Sequence, residues 1–291
     1  MSIDHLQNRI RKTKNPSVLE IQLDFAQIPP CYLPEEAAHI RFRDYILELL
    51  AHLKGVIPAV RFGFSSFAVV GCDGIGVLTE LLNAASGMDY YVILDAPEFL
   101  SPASAKLIAD GLFGEAAPYC CDAAIISSYL GSDGWKPFLP YCENNGKDVF
   151  VVVRTGNKSA PELQDLLSGA RIVHAVAADH VNRYGGHCVG KSGYSGVSVM
   201  ASASNTESLR SLRSKYSKLF LLVDGYDYPS ANAKNCAAAF DKLGHGAAVC
   251  AGSSIVYAWA NDPGNPENYL ESAMSAAERM KKNLGRYVTV L

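Results

Sequence analysis

The stretch Tyr90-Tyr91-Val92-Ile93-Leu94-Asp95-Ala96-Pro97-Glu98-Phe99-Leu100 joins an apolar run of strand length to one carboxylate and then to a turn. Such a continuous apolar run is typical of a strand buried on both faces, as in a parallel sheet covered by helices. Asp95 stands at the carboxyl end of this predicted strand. Because folds built from βα units place their functional residues at that end, Asp95 is the first candidate functional residue.

Similar apolar runs recur along the whole chain. The predicted strands are Val18–Phe25, Val56–Phe62, Tyr90–Asp95, Ala123–Ser128, Asp148–Arg154, Gly196–Ala201, Leu219–Asp224 and Ala247–Ala251. Helical patterns alternate with them, at 34–53, 74–85, 102–113, 135–144, 160–167, 205–215, 231–243 and 267–283. Eight alternating units favour closure into a barrel, so we predict a (β/α)₈ TIM barrel of the α/β class. The longest irregular piece, Ala178 to Ser195, is expected either to cover the barrel mouth or simply to join two elements.

Length and composition fit one such barrel. The chain has 291 residues, of which 49% are hydrophobic, and we predict one domain over 1–291 with an N-terminal extension (about 1–16) and a C-terminal helix (about 267–283). The 29 acidic and 26 basic residues include no basic block, so nucleic acid is not an expected partner. No apolar run reaches the roughly 18 residues of a membrane span, and the basic N-terminus lacks the apolar core of a secretory signal. A cytoplasmic protein is therefore expected.

Cysteine and histidine usage indicates neither disulfides nor a metal. The eight cysteines form no CxxC pair, and buried free thiols are expected, with Cys120 and Cys121 used for packing. His174, His180, His187 and Cys188 match no standard zinc spacing, so loop histidines are expected and no metal is predicted. The glycine-rich segment Gly71–Gly76 matches neither the dinucleotide fingerprint nor the P-loop.

In a barrel, the polar residues at the strand ends are the candidates for binding and chemistry. They are Asp24, Arg61, Asp95, Ser127, Ser128, Arg154, Asn157, Ser202, Ser204, Asp224, Ser253 and Ser254. One interpretation is that they converge on a small polar, even anionic, ligand, because arginine offers a planar fork of donors and serine adds neutral ones. The other is that Asp24–Arg61 and Asp95–Arg154 merely form structural ion pairs.

Several segments resemble one known family. The segments Ile125–Gly131, Pro137–Leu139, Val149–Asn157 and Leu163–Leu166 are similar to those of orotidine 5′-phosphate decarboxylases, in particular the longer bacterial subfamily. The likeness runs in order from about Leu23 to Ala258, and its middle blocks are the most specific. It implies a (β/α)₈ barrel, usually a homodimer, that converts orotidine 5′-monophosphate (OMP) to uridine 5′-monophosphate (UMP) in pyrimidine biosynthesis without cofactor or metal.

The resemblance also shows where this chain departs from the family pattern. Asp24 matches the family's ribose-binding aspartate, Asp95 the first aspartate of its Asp-x-Lys-x-x-Asp motif, and Arg61 stands at the place of a network lysine. Pro97 occupies the position of the catalytic lysine and Leu100 that of the second aspartate. Because neither side chain can carry charge or deliver a proton, the resemblance implies that the decarboxylase machinery is lost.

The phosphate-binding segments depart as well. Where the family has a Pro-Gly-x-Gly-Ala-Gln-Gly type loop, this chain reads Asp224-Gly225-Tyr226-Asp227-Tyr228, and Ser253 stands where the family has an arginine. Two carboxylates near a phosphate dianion replace attraction by repulsion.

Three hypotheses follow. The first is a catalytically degenerate member that binds a small polar or nucleotide-like ligand, or a partner. The second is an active decarboxylase, a carboxy-lyase with a variant network of Arg61, Asp95 and Glu98. The third is an inactive subunit that docks on an active paralogue, since the family's site lies at a subunit interface.

Overall fold

The computed structural model describes residues 2–32, 35–261 and 265–291. Eight parallel strands, each hydrogen-bonded to its neighbours, close into a barrel, and the first strand pairs with both the second and the eighth. They are β1 (Ser17–Ile21), β2 (Ala59–Gly63), β3 (Tyr91–Asp95), β4 (Ala123–Ser127), β5 (Asp148–Arg154), β6 (Ser195–Ser202), β7 (Leu219–Asp224) and β8 (Ala247–Ala251). The predicted TIM barrel and all eight predicted strands are confirmed.

Helices of unequal length surround the barrel. They are α1 (Ser2–Thr13), α2 (Ala38–Leu53), α3 (Phe64–Ala68), α4 (Cys72–Gly87), α5 (Pro102–Phe113), α6 (Ser132–Trp135), α7 (Leu139–Asn144), α8 (Pro161–Gln164), α9 (Val173–Tyr184), α10 (Thr206–Lys215), α11 (Ala233–Ala237), α12 (Ser253–Val256) and α13 (Tyr269–Gly285). Helix α5 has the predicted bounds, because Ser101 caps it and Pro102 opens it. The predicted start of the second helix at Pro34 lies outside the described residues.

Several predicted elements were wrong in extent, among them the first strand, which ends at Ile21 rather than at Phe25. Residues 160–167 form only the one-turn α8, and Leu167–Ser168 then pairs with Arg171–Ile172 as a short antiparallel hairpin. The stretch from Ala178 is not irregular, since α9 continues to Tyr184. Within 231–243 only Ala233–Ala237 is α-helical. After Ala237 the chain continues as backbone turns, in which the N–H groups of Ala238, Ala239 and Phe240 each donate to the carbonyl oxygen three residues earlier.

The glycine-rich segment 71–76 has a packing role. Gly71 adopts φ 78° just before α4, a conformation that favours glycine. A Cβ on Gly74 would lie 2.1 Å from the carbonyl oxygen of Phe67, so only glycine lets α4 approach α3 this closely. The segment therefore needs no phosphate to explain its composition.

Side-chain alternation divides the apolar residues into two cores. Outward-facing strand residues such as Leu19, Val60 and Leu94 pack beneath the helices. Inward-facing residues, among them Tyr91, Ile93, Phe150, Phe220 and Leu222, fill the barrel. The same alternation continues to the strand ends and decides which polar side chains point into the mouth.

Helix α1 closes the amino end of the barrel. Its Ile3, Leu6 and Ile10 are fully buried and join the interior core rather than the outer one. The side chain of Gln7 accepts a hydrogen bond from the backbone N–H of Gly246, at 3.0 Å. Within the predicted N-terminal extension, α1 is therefore a plug at the amino end of the barrel.

The eight cysteines are free: five are buried, whereas Cys31, Cys72 and Cys120 are exposed. The packing role predicted for the Cys120–Cys121 pair therefore holds for Cys121 only. No helix in the described part of the chain is both long and apolar enough to cross a membrane.

Candidate functional site

Four ionisable side chains meet inside the barrel mouth. Glu20 and Arg61 are register partners on β1 and β2, while Asp95 and Asp224 end β3 and β7. All four lie two residues beyond an interior core residue of the same strand, so the pleat turns them inward. Alternation along each strand thus assembles the cluster.

Arg61 is the centre of this cluster, which we call the mouth cluster. Its Nε and Nη2 donate to the two carboxylate oxygens of Asp95 at 2.7 and 2.8 Å, in the bidentate geometry typical of strong pairs. Nη1 donates to Asp224 Oδ1 at 3.2 Å and lies 3.3 Å from Glu20 Oε2. The guanidinium therefore has all three of its nitrogens committed to carboxylates.

The mouth cluster carries an excess of negative charge. Burial opposes the charge of Arg61, but the carboxylates of Asp95 and Glu20 outweigh it and raise the arginine pKa well above its usual value. Burial raises the pKa of Glu20, and the nearby Asp224 raises it further while Arg61 lowers it. The negative charge of Asp224, together with burial, raises the pKa of Tyr228 to about 12. The raised pKa values of Glu20 and Tyr228 have the sign expected where unpaired negative charge is held in a partly buried site.

A cavity of about 650 Å³ opens above the cluster. Its polar floor includes Arg61, Asp95 and Asp224, and its walls include Pro97, Phe99, Ile126, Met200 and Tyr228. Among the described residues that line it there is no lysine. Pro97 lies in the wall, and Leu100 is 88% exposed at the rim, so neither supplies a proton or a charge to the cavity.

Asp24 is not among the residues that line the mouth cavity. Strand β1 ends at Ile21, and Asp24 instead caps a one-turn 3₁₀ helix by accepting a hydrogen bond from the backbone N–H of Ala26. The carboxylate that β1 does contribute is Glu20, which sequence reasoning missed. A charged residue inside the apolar run Ser17–Ile21, on the inward-facing register, was the available signal.

The predicted structural ion pairs are also corrected. Asp24 does not reach Arg61, and Asp95 pairs with Arg61 rather than with Arg154. Arg154 forms a separate bidentate pair with Asp165, at 2.9 Å for both contacts. The pairing register between β5 and β6 shifts between Val152 and Arg154. Arg154 is therefore not among the residues that line the mouth cavity.

The serines and Asn157 are distributed around the rim. Ser202 and Ser204 share a hydrogen bond of 2.8 Å between their hydroxyls, and Asn157 lines the mouth cavity. Ser128 lines a separate cavity beyond the end of β4. The structure thus brings Asp95, Arg61, Asp224 and Asn157 to one cavity and leaves Ser128 outside it.

The side chain of Asp227 lies at the carboxyl end of β8. Its Oδ2 accepts hydrogen bonds from the backbone N–H of Gly252 at 2.8 Å and of Ser254 at 3.3 Å, and from the Ser253 hydroxyl at 3.4 Å. These donors face a smaller cavity of about 200 Å³ that Glu20 and Asp224 also line. Ser253 and Ser254, predicted as ligand-binding, are therefore engaged by a carboxylate of the chain itself.

Metal ligation finds no support in the described ranges. Within residues 2–32, 35–261 and 265–291, no three His, Cys, Asp or Glu side chains are grouped so as to hold a metal ion. His174, which is buried, contacts Asp165.

Comparison with known proteins gives a consistent result. No protein-family model matches the chain. A protein named orotidine 5′-phosphate decarboxylase from Caldicellulosiruptor bescii is 25% identical over 98% of this chain and 98% of its own length. One of the same name from Clostridium perfringens is 28% identical over 87% and 89%. The chain therefore resembles proteins of this name over most of its length.

Solved structures agree at the level of the fold. The Leishmania donovani OMP decarboxylase superposes with a TM-score of 0.72 at 19% identity, covering 97% of this chain and 99% of the other. The Plasmodium berghei orotidine 5′-monophosphate decarboxylase gives 0.77 at 15% identity, with 98% of both chains covered. The barrel is thus the fold found in OMP decarboxylases.

Proposed function

We propose that this chain is an orotidine 5′-phosphate decarboxylase-like barrel that binds a small, unphosphorylated polar molecule of nucleoside size and does not decarboxylate OMP. The main support for the proposal is that the guanidinium of Arg61 is already paired with carboxylates of the chain. It is the one lysine or arginine among the described residues that line the mouth cavity, and its nitrogens are bound by Asp95, Asp224 and Glu20. No cation remains there to stabilise a developing carbanion or to hold a phosphate.

Electrostatics argue against a phosphorylated ligand. With all groups ionised, three carboxylates and one guanidinium leave a formal charge of −2 at the mouth cluster. Two like unit charges about 4 Å apart repel by about 4 kcal/mol at the effective dielectric of a protein surface. A phosphate dianion would meet this repulsion, and the described residues that line the cavity include no free basic side chain to offset it.

The contacts of Asp227 support the same conclusion. The backbone N–H groups of Gly252 and Ser254 are neutral donors at a strand end, where barrels commonly bind phosphate. In this chain they already donate to a carboxylate. A phosphorylated ligand would have to displace Asp227 and leave its charge partly buried.

The cavity suits a ligand with a flat apolar face and several hydroxyl or amide groups. Phe99, Met200 and Tyr228 offer apolar surface, whereas Asp95 and Asp224 offer acceptors for ligand hydroxyls. About 650 Å³ is enough for a nucleoside-sized molecule. We also propose that the protein is a homodimer located in the cytoplasm.

An absorbance assay tests the proposal. Purified protein is incubated with OMP while the ultraviolet spectrum is followed, and calorimetry compares uridine and orotidine with UMP and OMP. We expect no turnover and tighter binding of each nucleoside than of its 5′-phosphate. Turnover of OMP at ordinary enzyme rates, or tighter binding of the 5′-phosphates than of the nucleosides, would contradict the proposal.

A second candidate is an active decarboxylase with a variant network. Glu98 lines the mouth cavity, which supports it as a second carboxylate beside Asp95 and Arg61. This candidate requires OMP turnover in the same assay, and a Glu98→Gln variant would lose that turnover.

A third candidate is an inactive subunit that docks on an active paralogue. Leu100 and Tyr129 are 88% and 79% exposed at the mouth, where apolar side chains are suited to cover by another subunit. Co-purification from the native cell distinguishes the cases: a paralogue in the complex supports this candidate, and a lone homodimer argues against it.

A further inference from the structure

A second cavity, of about 480 Å³, lies between the carboxyl ends of β4 and β5 and helix α9. Ser127, Tyr129, Val152 and Thr155 line both this cavity and the mouth cavity, and so form the wall between them. We call it the side cavity. Its volume falls in the range of sites for small molecules.

His174, on α9, is a buried polar residue in the lining of the side cavity. It is 7% exposed and lines the cavity. Its Nδ1 lies 3.0 Å from the carbonyl oxygen of Gln164 and 3.1 Å from Asp165 Oδ1. Both neighbours can only accept when Asp165 is ionised, so Nδ1 carries the hydrogen. In the neutral ring Nε2 is then a hydrogen-bond acceptor, and no partner within the described residues engages it.

Asp165 holds this tautomer in place. Arg154 donates to both of its carboxylate oxygens at 2.9 Å. The pKa of Asp165 lies below its ordinary value, chiefly because Arg154 hydrogen-bonds to the ionised form. A carboxylate that fixes an imidazole through Nδ1–H is the arrangement by which proteins orient a functional Nε2. The Arg154–Asp165–His174 chain thus gives Nε2 a fixed direction.

The remaining lining specifies the chemistry of an occupant. Apolar wall residues include Trp135, Leu163 and Val176, and polar groups are supplied by Ser128, Gln164 and a second imidazole, His180. No Lys, Arg, Asp or Glu side chain is among the described residues that line the side cavity. An uncharged molecule with an apolar body therefore fits better than an ion.

We propose that the side cavity is a binding site for a small, uncharged ring compound whose O–H or N–H group donates a hydrogen bond to Nε2 of His174. The inference is independent of the function proposed for the mouth, because none of the groups that hold His174 belongs to the mouth cluster. It also explains why a buried histidine is held in one tautomer by a fixed ion pair.

Phenol and toluene form a matched pair of probes, since they have similar rings and only phenol carries the donor. Binding of each is measured by calorimetry at about pH 8, where an ordinary imidazole is neutral. The ¹⁵N shift of His174 Nε2 is followed in histidine-labelled protein during the same titrations. We expect saturable binding of both, a phenol preference of about two- to tenfold, and an Nε2 shift with phenol only.

A His174→Leu variant should abolish the phenol preference, and His39→Leu, a change on α2 outside the side cavity, should keep it. The ¹⁵N measurement on the unaltered chain covers the case in which His174→Leu does not fold. Equal affinities for phenol and toluene, absence of saturable binding, or an unmoved Nε2 signal with phenol would each overturn the proposal. None of these outcomes depends on whether the mouth binds a nucleoside.

Discussion

Arg61 and Asp95 face each other across β2 and β3 through two parallel N–H···O hydrogen bonds of 2.7 and 2.8 Å. The carboxylate at the end of β3 is therefore half of an ion pair whose guanidinium is buried. Its remaining capacity to accept hydrogen bonds is directed at the cavity above. The pair therefore contributes to the stability of the barrel and to the net charge of the mouth cluster.

Removing the guanidinium should destabilise the barrel. In Arg61→Met the carboxylates of Glu20, Asp95 and Asp224 would face one another without a cation, and we expect a loss of about 3 to 5 kcal/mol in the free energy of unfolding. Urea denaturation near neutral pH measures it. The control is Arg210→Met, which breaks an exposed pair with Glu207 and should cost less than about 1 kcal/mol. Equal losses in the two variants would contradict a buried cluster.

Restoring the family motif should not restore decarboxylation. Pro97→Lys, alone or with Leu100→Asp, supplies the charged side chains, but Asp227 still holds the donors at the end of β8. We expect no OMP turnover by ultraviolet absorbance. The Clostridium perfringens relative, assayed alongside, serves as the positive control. Turnover in the double variant would mean that the phosphate-binding region remains competent.

Neutralising Asp227 should increase the affinity for phosphorylated ligands. Asp227→Asn removes one negative charge from the donors of Gly252 and Ser254, and we expect UMP to bind about tenfold more tightly or better, because a repulsion of a few kcal/mol is relieved. Calorimetry with UMP and uridine measures the effect, and uridine affinity should change little. Asp133→Asn, which alters an exposed pair with Lys136, is the control. Unchanged UMP affinity in Asp227→Asn would remove the role given to this carboxylate.

Stability should fall with rising pH because of Asp148. This carboxyl is fully buried inside the barrel, where the Tyr91 hydroxyl donates to it at 2.5 Å. Burial raises its pKa well above the ordinary value of 3.8, and the negative charge of Asp122 adds to the rise. The folded state therefore binds this proton more tightly than the unfolded chain does. Its contribution is complete below about pH 3.8 and is lost as the pH rises towards the folded-state pKa.

The variant Asp148→Asn keeps an acceptor for Tyr91 and cannot ionise. We expect its free energy of unfolding, measured by denaturation from about pH 4 to 8, to exceed that of the original chain increasingly as the pH rises. Asp122→Asn, at a neighbouring position, shows how much of the slope is due to the second carboxylate. A constant difference across the pH range would contradict the linkage.

Much of the fold was predictable because the strands are long apolar runs with a regular spacing. Closure of eight βα units into a barrel then follows from the general rules for parallel sheets. The errors fall where short-range hydrogen bonding competes with the apolar pattern. At 160–172, for example, a helix of one turn gives way to a two-residue hairpin. Such competition between local structures of similar free energy is hard to resolve from one sequence.

The site was only partly predictable for a different reason. Arg61, Asp95 and Asp224 were identified because each lies at the end of a strand with a clear pattern. Asp24 was included and Glu20 omitted because the exact end of β1 decides which carboxylate enters the barrel, and strand ends are the least certain feature of a pattern. Asp227 contacts Gly252 and Ser254, 25 and 27 positions away, so no local pattern could have indicated these contacts. His174 contacts Gln164 and Asp165, ten and nine positions away, across the short hairpin that the apolar pattern did not predict.

Helix α1 has a consequence for the order in which the chain folds. Gln7 meets Gly246 across 239 positions of sequence, and Leu6 belongs to the same interior core as Phe220 of β7 and Ala248 of β8. The plug cannot complete its contacts until residue 246 has left the ribosome, so its apolar face stays open to solvent until then. Nascent chains should therefore be the species most dependent on chaperones.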